Sequence, residues 1–311
     1  MKQALVTFVL GILIVGLVGY YNYGGFFSSK GDAHPRETVR FSTIKDLDKY
    51  FALHEMSVEK WRAGEAQIPR ILLQDIPSKW PEHALENVTV EKKKALFLRF
   101  SIPLVLIANE EVKAERKTVL RFLSKTELDN GDKKRVRRLA QKYKLDKDTP
   151  LRKLLTQLKT RVGPIPVSLG VAQMIEESGW GTSRFAIEGN ALFGQWSFSK
   201  GMKPKEQRAE KGDYRIRSFK TPLDSVRAYM LNLNTNQAYA AFRKERSRRL
   251  NAGEALKGAS MIAFLKSYSE RGEEYLSSIR SIIASNKLAP FDRAKLSSGP
   301  TVEFIPSVFA G

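Results

Sequence analysis

The sequence predicts a mainly α fold of the α+β class: a helical domain with a small β-hairpin lobe, preceded by an apolar N-terminal helix and a helical N-terminal section. Three observations predict it. Apolar residues recur at helical spacing through long stretches from Val90 onward. A Gly-, Lys- and Pro-rich interval between Ser197 and Thr221 contains Tyr214-Arg215-Ile216-Arg217-Ser218-Phe219, which alternates as a strand does. The chain also opens with Ala4 to Tyr21 free of charge. At 311 residues and 42% hydrophobic, it is long enough for one large domain or two small ones and has the apolar content for a real core.

Taken in order, the first element is the apolar N-terminal stretch. Crossing a bilayer takes roughly 17 to 25 helical residues, and Ala4 to Tyr21 fits. A cleaved signal would have a shorter apolar core and a small-x-small site, whereas Tyr20, Tyr21, Asn22 and Tyr23 offer none. We therefore expect a signal anchor over 1–24, with Lys2 on the cytoplasmic side and the rest exported, ahead of a cleaved signal. A linker over 25–37 follows, then a helical section over 38–150 that contains Ile44 to Ala52 and a long pattern from Val90 to Leu123. Pro103 inside that pattern is expected to kink or split the helix, because proline lacks a donor and clashes with the preceding turn. Asp132 to Tyr143 reads as an amphipathic helix with a basic face, and Leu151 to Val162 as another that Gly163-Pro164 ends. The main domain is expected over 151–290. Pro166 opens its next helix, the Tyr214–Phe219 strand forms a hairpin about Lys211-Gly212-Asp213, and helices run from Pro222 to Phe242 and Ala259 to Asn286. The tail over 291–311 reads as irregular.

Charge and composition narrow the chemistry. Lys and Arg number 53 against 33 Asp and Glu, a net charge of +20, so a partner carries negative charge. Nucleic acid, anionic lipid and a carboxylate-bearing wall qualify, and an exported body demotes nucleic acid. No cysteine is present, which excludes disulfides and thiolate chemistry. The three histidines, His34, His54 and His83, all lie before the motif described next, leaving little for a zinc site or a Ser-His-Asp triad.

That motif is Gln173-Met174-Ile175-Glu176-Glu177-Ser178-Gly179-Trp180-Gly181, followed by Gly189-Asn190-Ala191-Leu192-Phe193-Gly194-Gln195-Trp196. At about 100° per residue, Val167, Val171, Met174, Ile175 and Ser178 share one helix face, with Glu177 flanking it and Glu176 nearly opposite. A carboxyl group against an apolar face has its charged form disfavoured, which raises its pKa toward that of a working acid. The stretch resembles the signature of the glucosaminidase family, glycoside hydrolase family 73, within the lysozyme superfamily: Ala-Gln-x-x-x-Glu-Ser-x-Trp-Gly with a downstream Asn and Gly. Here it falls on Ala172, Gln173, Glu177, Ser178, Trp180, Gly181, Asn190 and Gly194. Ile165 to Leu169, Asp224 to Tyr229 and Tyr268 to Gly272 resemble the Bax-type members, over roughly half the chain.

The resemblance implies a lysozyme-like helical domain that cleaves β-1,4 bonds of peptidoglycan glycan strands, without a cofactor or metal. It places the acid at Glu177. A second carboxylate near the hairpin is expected, at Glu210 first, with Glu206 and Asp213 as rivals. Inverting, retaining and substrate-assisted routes all stay open. Trp180, Trp196, Phe193 and Tyr268 are candidate sugar-facing rings, and Gln173, Ser178 and Asn190 candidate polar contacts. Phe193 equally suits a core position, and the amides of Gln173 and Asn190 equally suit a role in fixing the local backbone. Glu176 departs from the family pattern, and its helical position points to solvent. The implied location is the inner membrane, single-pass, with the domain in the periplasm, or the periplasm itself after signal cleavage. Lytic transglycosylase, muramidase and a non-catalytic wall-binding module remain alternatives.

Overall fold

A computed structural model of the chain describes residues 34–77, 89–197, 200–204 and 213–307. The expected N-terminal anchor, Glu206, Glu210 and the Lys211-Gly212 part of the hairpin turn lie outside the described residues.

The elements run β1 (Arg36–Phe41), α1 (Ile44–Leu53), α2 (Val58–Ala63), β2 (Ile68–Leu73), α3 (Val90–Ser124), α4 (Asn130–Lys142), α5 (Leu151–Arg161), α6 (Val167–Ser178), α7 (Arg184–Gly189), β3 (Trp196–Ser197), β4 (Arg215–Ile216), α8 (Pro222–Thr235), α9 (Ala240–Asn251), α10 (Gly258–Met261), α11 (Glu273–Ser285) and β5 (Leu296–Pro306). Short 3-10 turns cover Gln237–Tyr239, Ile262–Tyr268 and Ala289–Arg293. The protein is mainly helical with two small sheets.

The central element is α3. Thr89 caps it by accepting from the Lys92 N–H, and almost every residue from Leu96 to Asn109 is buried. A helix apolar on all sides must be surrounded, and α3 packs against β2, α5, α6 and α8. Pro103 lies buried in mid-helix without splitting it, because packing on every side holds both halves in line. Among the described residues no helix is long and apolar enough to cross a membrane.

The tail corrects the sequence reading most. Residues 296–306 form β5, the middle strand of a parallel sheet ordered β1-β5-β2. Val39 pairs with Phe304 on one side and Leu73 with Phe304 on the other. Phe304 is fully buried and meets the rings of Phe41, Tyr50, Phe51 and Phe100 at 5.1 to 6.5 Å. The section expected to be helical and the tail expected to be irregular therefore share one sheet. One contiguous core runs from Phe41 to Phe304. Elsewhere, β3 pairs antiparallel with β4 through Trp196 and Ile216, and Met202 bridges to Ile216, giving the small β lobe.

The start of α6 is fixed by buried polar groups from other helices. Asn109 of α3 clamps Ile165, donating to its carbonyl at 2.7 Å and accepting from its N–H at 2.8 Å. Arg246 of α9, itself fully buried, donates to the Gly163 carbonyl at 2.8 Å, and Arg116 to that of Val162 at 2.8 Å. The pKa of the Arg246 guanidinium is pushed down to about 9, by desolvation first and by Arg116 and Arg243, against an opposing pull from Tyr143. Pro166 sits one residue earlier than expected, as the cap before α6. Asp292 closes this end, accepting from the Ser168 N–H at 2.9 Å, its hydroxyl at 2.8 Å and the Gly258 N–H at 2.8 Å. Gly258 is required here: a Cβ would lie 2.1 Å from Ser168 Oγ.

Candidate active site

At the other end of α6, Ser178 terminates the helix from within. Its hydroxyl donates to the Met174 carbonyl at 2.6 Å and accepts from the Gly181 N–H at 2.9 Å. The next three residues, Gly179, Trp180 and Gly181, all have positive φ, at 56°, 60° and 76°. Two glycines adopt this conformation freely, but a tryptophan does so only where its surroundings hold it. Trp180 is held by the edge of Phe97, with ring centroids 5.6 Å apart, and by the Lys94 ammonium 5.5 Å from its own ring centroid. Both partners come from α3, so the N-terminal section helps build the end of the motif helix.

Glu177, in the last turn, is 7% exposed. One carboxyl oxygen accepts from the Tyr275 hydroxyl at 2.9 Å. The other has no hydrogen-bond partner among the described residues. Tyr275 is itself held by Gln173, whose amide donates to the phenol oxygen at 2.8 Å, and Gln173 accepts from the Tyr229 hydroxyl at 2.6 Å. A directed chain thus runs Tyr229, Gln173, Tyr275, Glu177, from α8 through α6 to α11. Burial raises the pKa of Tyr229, Tyr268 and Tyr275 well above the ordinary phenol value, so all three stay protonated. Desolvation is also the leading cause at Glu177, pushing its carboxyl from 4.5 to about 8. The Tyr275 hydrogen bond and Arg271 oppose the shift, and the Glu176 charge adds to it. The C-terminal end of a helix carries partial negative charge, which disfavours a carboxylate further. The result is a carboxylic acid that keeps its proton at neutral pH, with one oxygen unbonded among the described residues.

Glu176 departs from the reading that it faces solvent freely. It forms an ion pair with Arg271 and accepts from the Ser278 hydroxyl at 2.9 Å. Arg271 also stands over the Tyr275 ring at 5.5 Å, so one guanidinium touches both neighbours of the acid.

The remaining candidates divide by what their atoms already do. Gln173 is fully buried with both amide ends bonded within the tyrosine chain, and Ser178 is fully buried as the helix stop. Asn190 ends α7 in the left-handed conformation, accepts from the Ile76 N–H at 3.1 Å and donates to Asp75 at 2.9 Å, riveting the end of β2 to this region. Phe193 is 1% exposed and stacks on Tyr229 with centroids 3.9 Å apart, so it is a core ring with no sugar-facing surface. In all four the polar atoms or ring faces are engaged within the protein. Tyr268 is 2% exposed and stacks on Tyr275 at 5.5 Å, backing the ring that holds Glu177. Trp180 and Trp196 keep part of their surface, and Trp196 stacks on Tyr214 at 4.4 Å in the β lobe. Asp213 is exposed and paired with Lys203 at 3.2 Å and Arg215 at 3.7 Å.

Sequence reasoning passed over Tyr275 and the role of Tyr229. Tyr275 is the third residue of α11, 98 positions from its partner, and only the α6–α11 packing brings them together.

Residues 152–288 match the family model described as glucosaminidase, mannosyl-glycoprotein endo-beta-N-acetylglucosaminidase. Over 187 residues the chain is 32% identical to protein bax of Escherichia coli strain K12, covering 59% of this chain and 66% of that protein, just under two thirds of its length. Among solved structures, the catalytic domain of the autolysin Auto from Listeria monocytogenes aligns with 58% of this chain and 96% of its own, at 16% identity and a TM-score of 0.33. Residues 152–288 thus match the glucosaminidase family model, and the chain is similar over 59% of its length to a Bax protein.

Proposed function

We propose that the protein is a peptidoglycan hydrolase, an endo-β-N-acetylglucosaminidase in which Glu177 protonates the leaving glycosidic oxygen. The observation that carries this reading is the state of Glu177: buried at the C-terminal end of α6, accepting a single hydrogen bond among the described residues, with its carboxyl pKa raised to about 8. General acid catalysis needs a donor that is still protonated at working pH and has an unoccupied oxygen. The tyrosine chain fixes the orientation of that carboxyl without taking its proton, since Tyr275 donates to it.

Protonation of the bridging oxygen by Glu177 breaks the bond to C1, and the sugar carbon develops oxocarbenium character. Capture of that carbon falls to water activated by a second carboxylate, to that carboxylate itself, or to the substrate's own acetamido oxygen, the carboxylate being Glu210 first, with Glu206 and Asp213 as rivals. Asp213 carries two cationic partners, which suit it less to a base than an unpaired carboxylate. Trp180 and Trp196 supply the part-exposed rings for sugar stacking. The apolar N-terminal stretch supports attachment to the inner membrane with the domain in the periplasm, where the wall polymer lies.

The test is incubation of the protein with purified peptidoglycan beside Glu177→Gln, with mass spectrometry of borohydride-reduced fragments. Fragments ending in reduced N-acetylglucosamine from the parent alone are expected. Anhydro-muramic ends would instead identify a lytic transglycosylase and reduced muramic ends a muramidase. Intact glycan with both proteins folded and wall-bound would identify a binding module.

A further inference from the structure

The net charge of +20 is not spread evenly. Residues 130–161, which make up α4, α5 and their connection, hold twelve Lys and Arg against three Asp and no Glu. Two basic stretches of the sequence behave differently once folded. In α9 four of the five cations are neutralised or buried, Lys244 being exposed: Arg248 pairs with Glu245 at 3.0 Å and Glu254 at 2.7 Å, Arg249 pairs with Glu245 at 2.7 Å, and Arg243 and Arg246 are buried against backbone carbonyls. In α4, Lys133, Lys134, Arg135 and Arg138 are all exposed, and none has a carboxylate within ion-pair reach among the described residues. The nearest acid, Asp132, is already held by Lys125. Cations around them turn to main-chain oxygens, as Arg137 does to Thr149 at 2.6 Å and Arg161 to Tyr143 at 2.6 Å, which anchors the local structure and cancels no charge.

We infer that the solvent face of α4 is a second binding surface, which holds the wall polymer by the carboxylates of its peptide stems. The choice of polymer rests on the hydrolase reading above. The face is rigid: Val136, Leu139 and Ala140 are buried beneath it, and the Asp129 side chain caps the helix by accepting from the Asp132 N–H at 2.8 Å. Lys133 to Arg138 set these charges within about 8 Å along the helix axis. A bilayer fits it less well. Amphipathic membrane helices bury an apolar face among acyl chains, whereas the apolar face of α4 is already consumed by the core and no large hydrophobic residue of α4 is exposed.

Position supports the same use. Trp180, beside the acid, meets Phe97 near the start of α3, while α4 attaches through Lys142 and Tyr143 to Glu115, each at 2.6 Å. Eighteen residues of helix separate those points, roughly 27 Å. A polymer held at α4 is therefore retained beside the site without occupying it, and capture at the second contact becomes intramolecular.

The test uses the full chain carrying Glu177→Gln, so that nothing is cleaved, and measures its pelleting with insoluble peptidoglycan. The charge-reversal variant K133E/K134E/R135E/R138E is compared in the same background, with unchanged melting as the control for folding. We expect the variant to bind about tenfold more weakly or worse, and the unreversed protein to lose a similar factor on peptidoglycan whose carboxylates have been amidated and in 0.5 M salt. Equal pelleting of variant and parent, indifference to amidation, or binding to anionic lipid vesicles in place of peptidoglycan would overturn the inference. Failure of the hydrolase reading would show separately, as absence of cleavage by the chain with Glu177 intact, since pelleting is read without cleavage.

Discussion

The two ends of α6 each hold a carboxylate from the protein interior, and the two are treated in opposite ways. Asp292 sits at the N-terminal end, where unpaired N–H groups and the positive end of the helix dipole favour an anion, and it accepts from Ser168 and Gly258 through both oxygens. Glu177 sits at the C-terminal end, where the dipole opposes an anion, and among the described residues it accepts only from Tyr275. Burial raises the pKa of both. At Asp292 three residues' hydrogen bonds pull back against burial, while at Glu177 the single phenol does not prevent a value of about 8. A carboxylate satisfied by donors joins elements together, and one deprived of them becomes an acid. The same twelve-residue helix provides both settings because its ends differ in polarity.

The contrast is broken most severely by Glu177→Gln. This change keeps the Tyr275 contact but removes the proton, and should lower glycan cleavage by about 10² to 10⁴-fold, read as release of reducing ends. The same variant should be more stable than the parent above pH 8. Glu177 is raised from 4.5 to about 8 in the folded chain, so its contribution is complete below about pH 4.5 and is lost as pH rises through 8. The gain should be of the order of a few kcal/mol, visible in urea unfolding at pH 9 and absent at pH 4. At the opposite end, Asp292→Ala should cost about 1 to 3 kcal/mol of stability, by leaving the Ser168 and Gly258 N–H groups without acceptors, and should leave the pH profile of cleavage in place. Melting of that variant beside its activity profile separates the two effects.

Smaller changes sharpen the comparison. Tyr275→Phe removes the one donor to Glu177, so the carboxyl rises further and the alkaline limb of the cleavage profile should move to higher pH. Glu176→Gln acts with the opposite sign: it removes a negative neighbour and releases Arg271 from its ion pair, so the limb should move to lower pH. Both shifts should be about a unit or less, and a common direction for the two variants would show that the tyrosine chain and the ion pair do not act on Glu177 as described.

How much of this was legible in the sequence follows from how local each feature is. Glu177, Ser178 and the Gly179-Trp180-Gly181 turn lie within five positions, and their chemistry could be read from residue types alone. The basic face of α4 was legible for the same reason, since helical spacing puts its cations together. Tyr275 was not, because it meets Glu177 across 98 positions and carries no local mark of its role. The strand β5 was hidden differently. Thr301 to Ile305 alternates faintly, but Ser297-Ser298-Gly299-Pro300 precedes it, and its partners Arg36–Phe41 and Ile68–Leu73 are more than 200 positions away. Arg36–Phe41 is mostly exposed, so it shows no apolar alternation either. Asn190 matched the family motif by letter, and only the fold shows its side chain spent on Ile76 and Asp75.

The proton carried by Glu177 is what makes α6 the acid-bearing helix. The most direct measurement is a carbon-13 NMR titration of glutamate side-chain carboxyls between pH 4 and 10, with the Glu177 signal assigned by its disappearance in Glu177→Gln. A midpoint near 8 is the predicted result. A midpoint near 4.5, the ordinary value for a glutamate, would leave the group ionised at neutral pH and contradict its assignment as the acid.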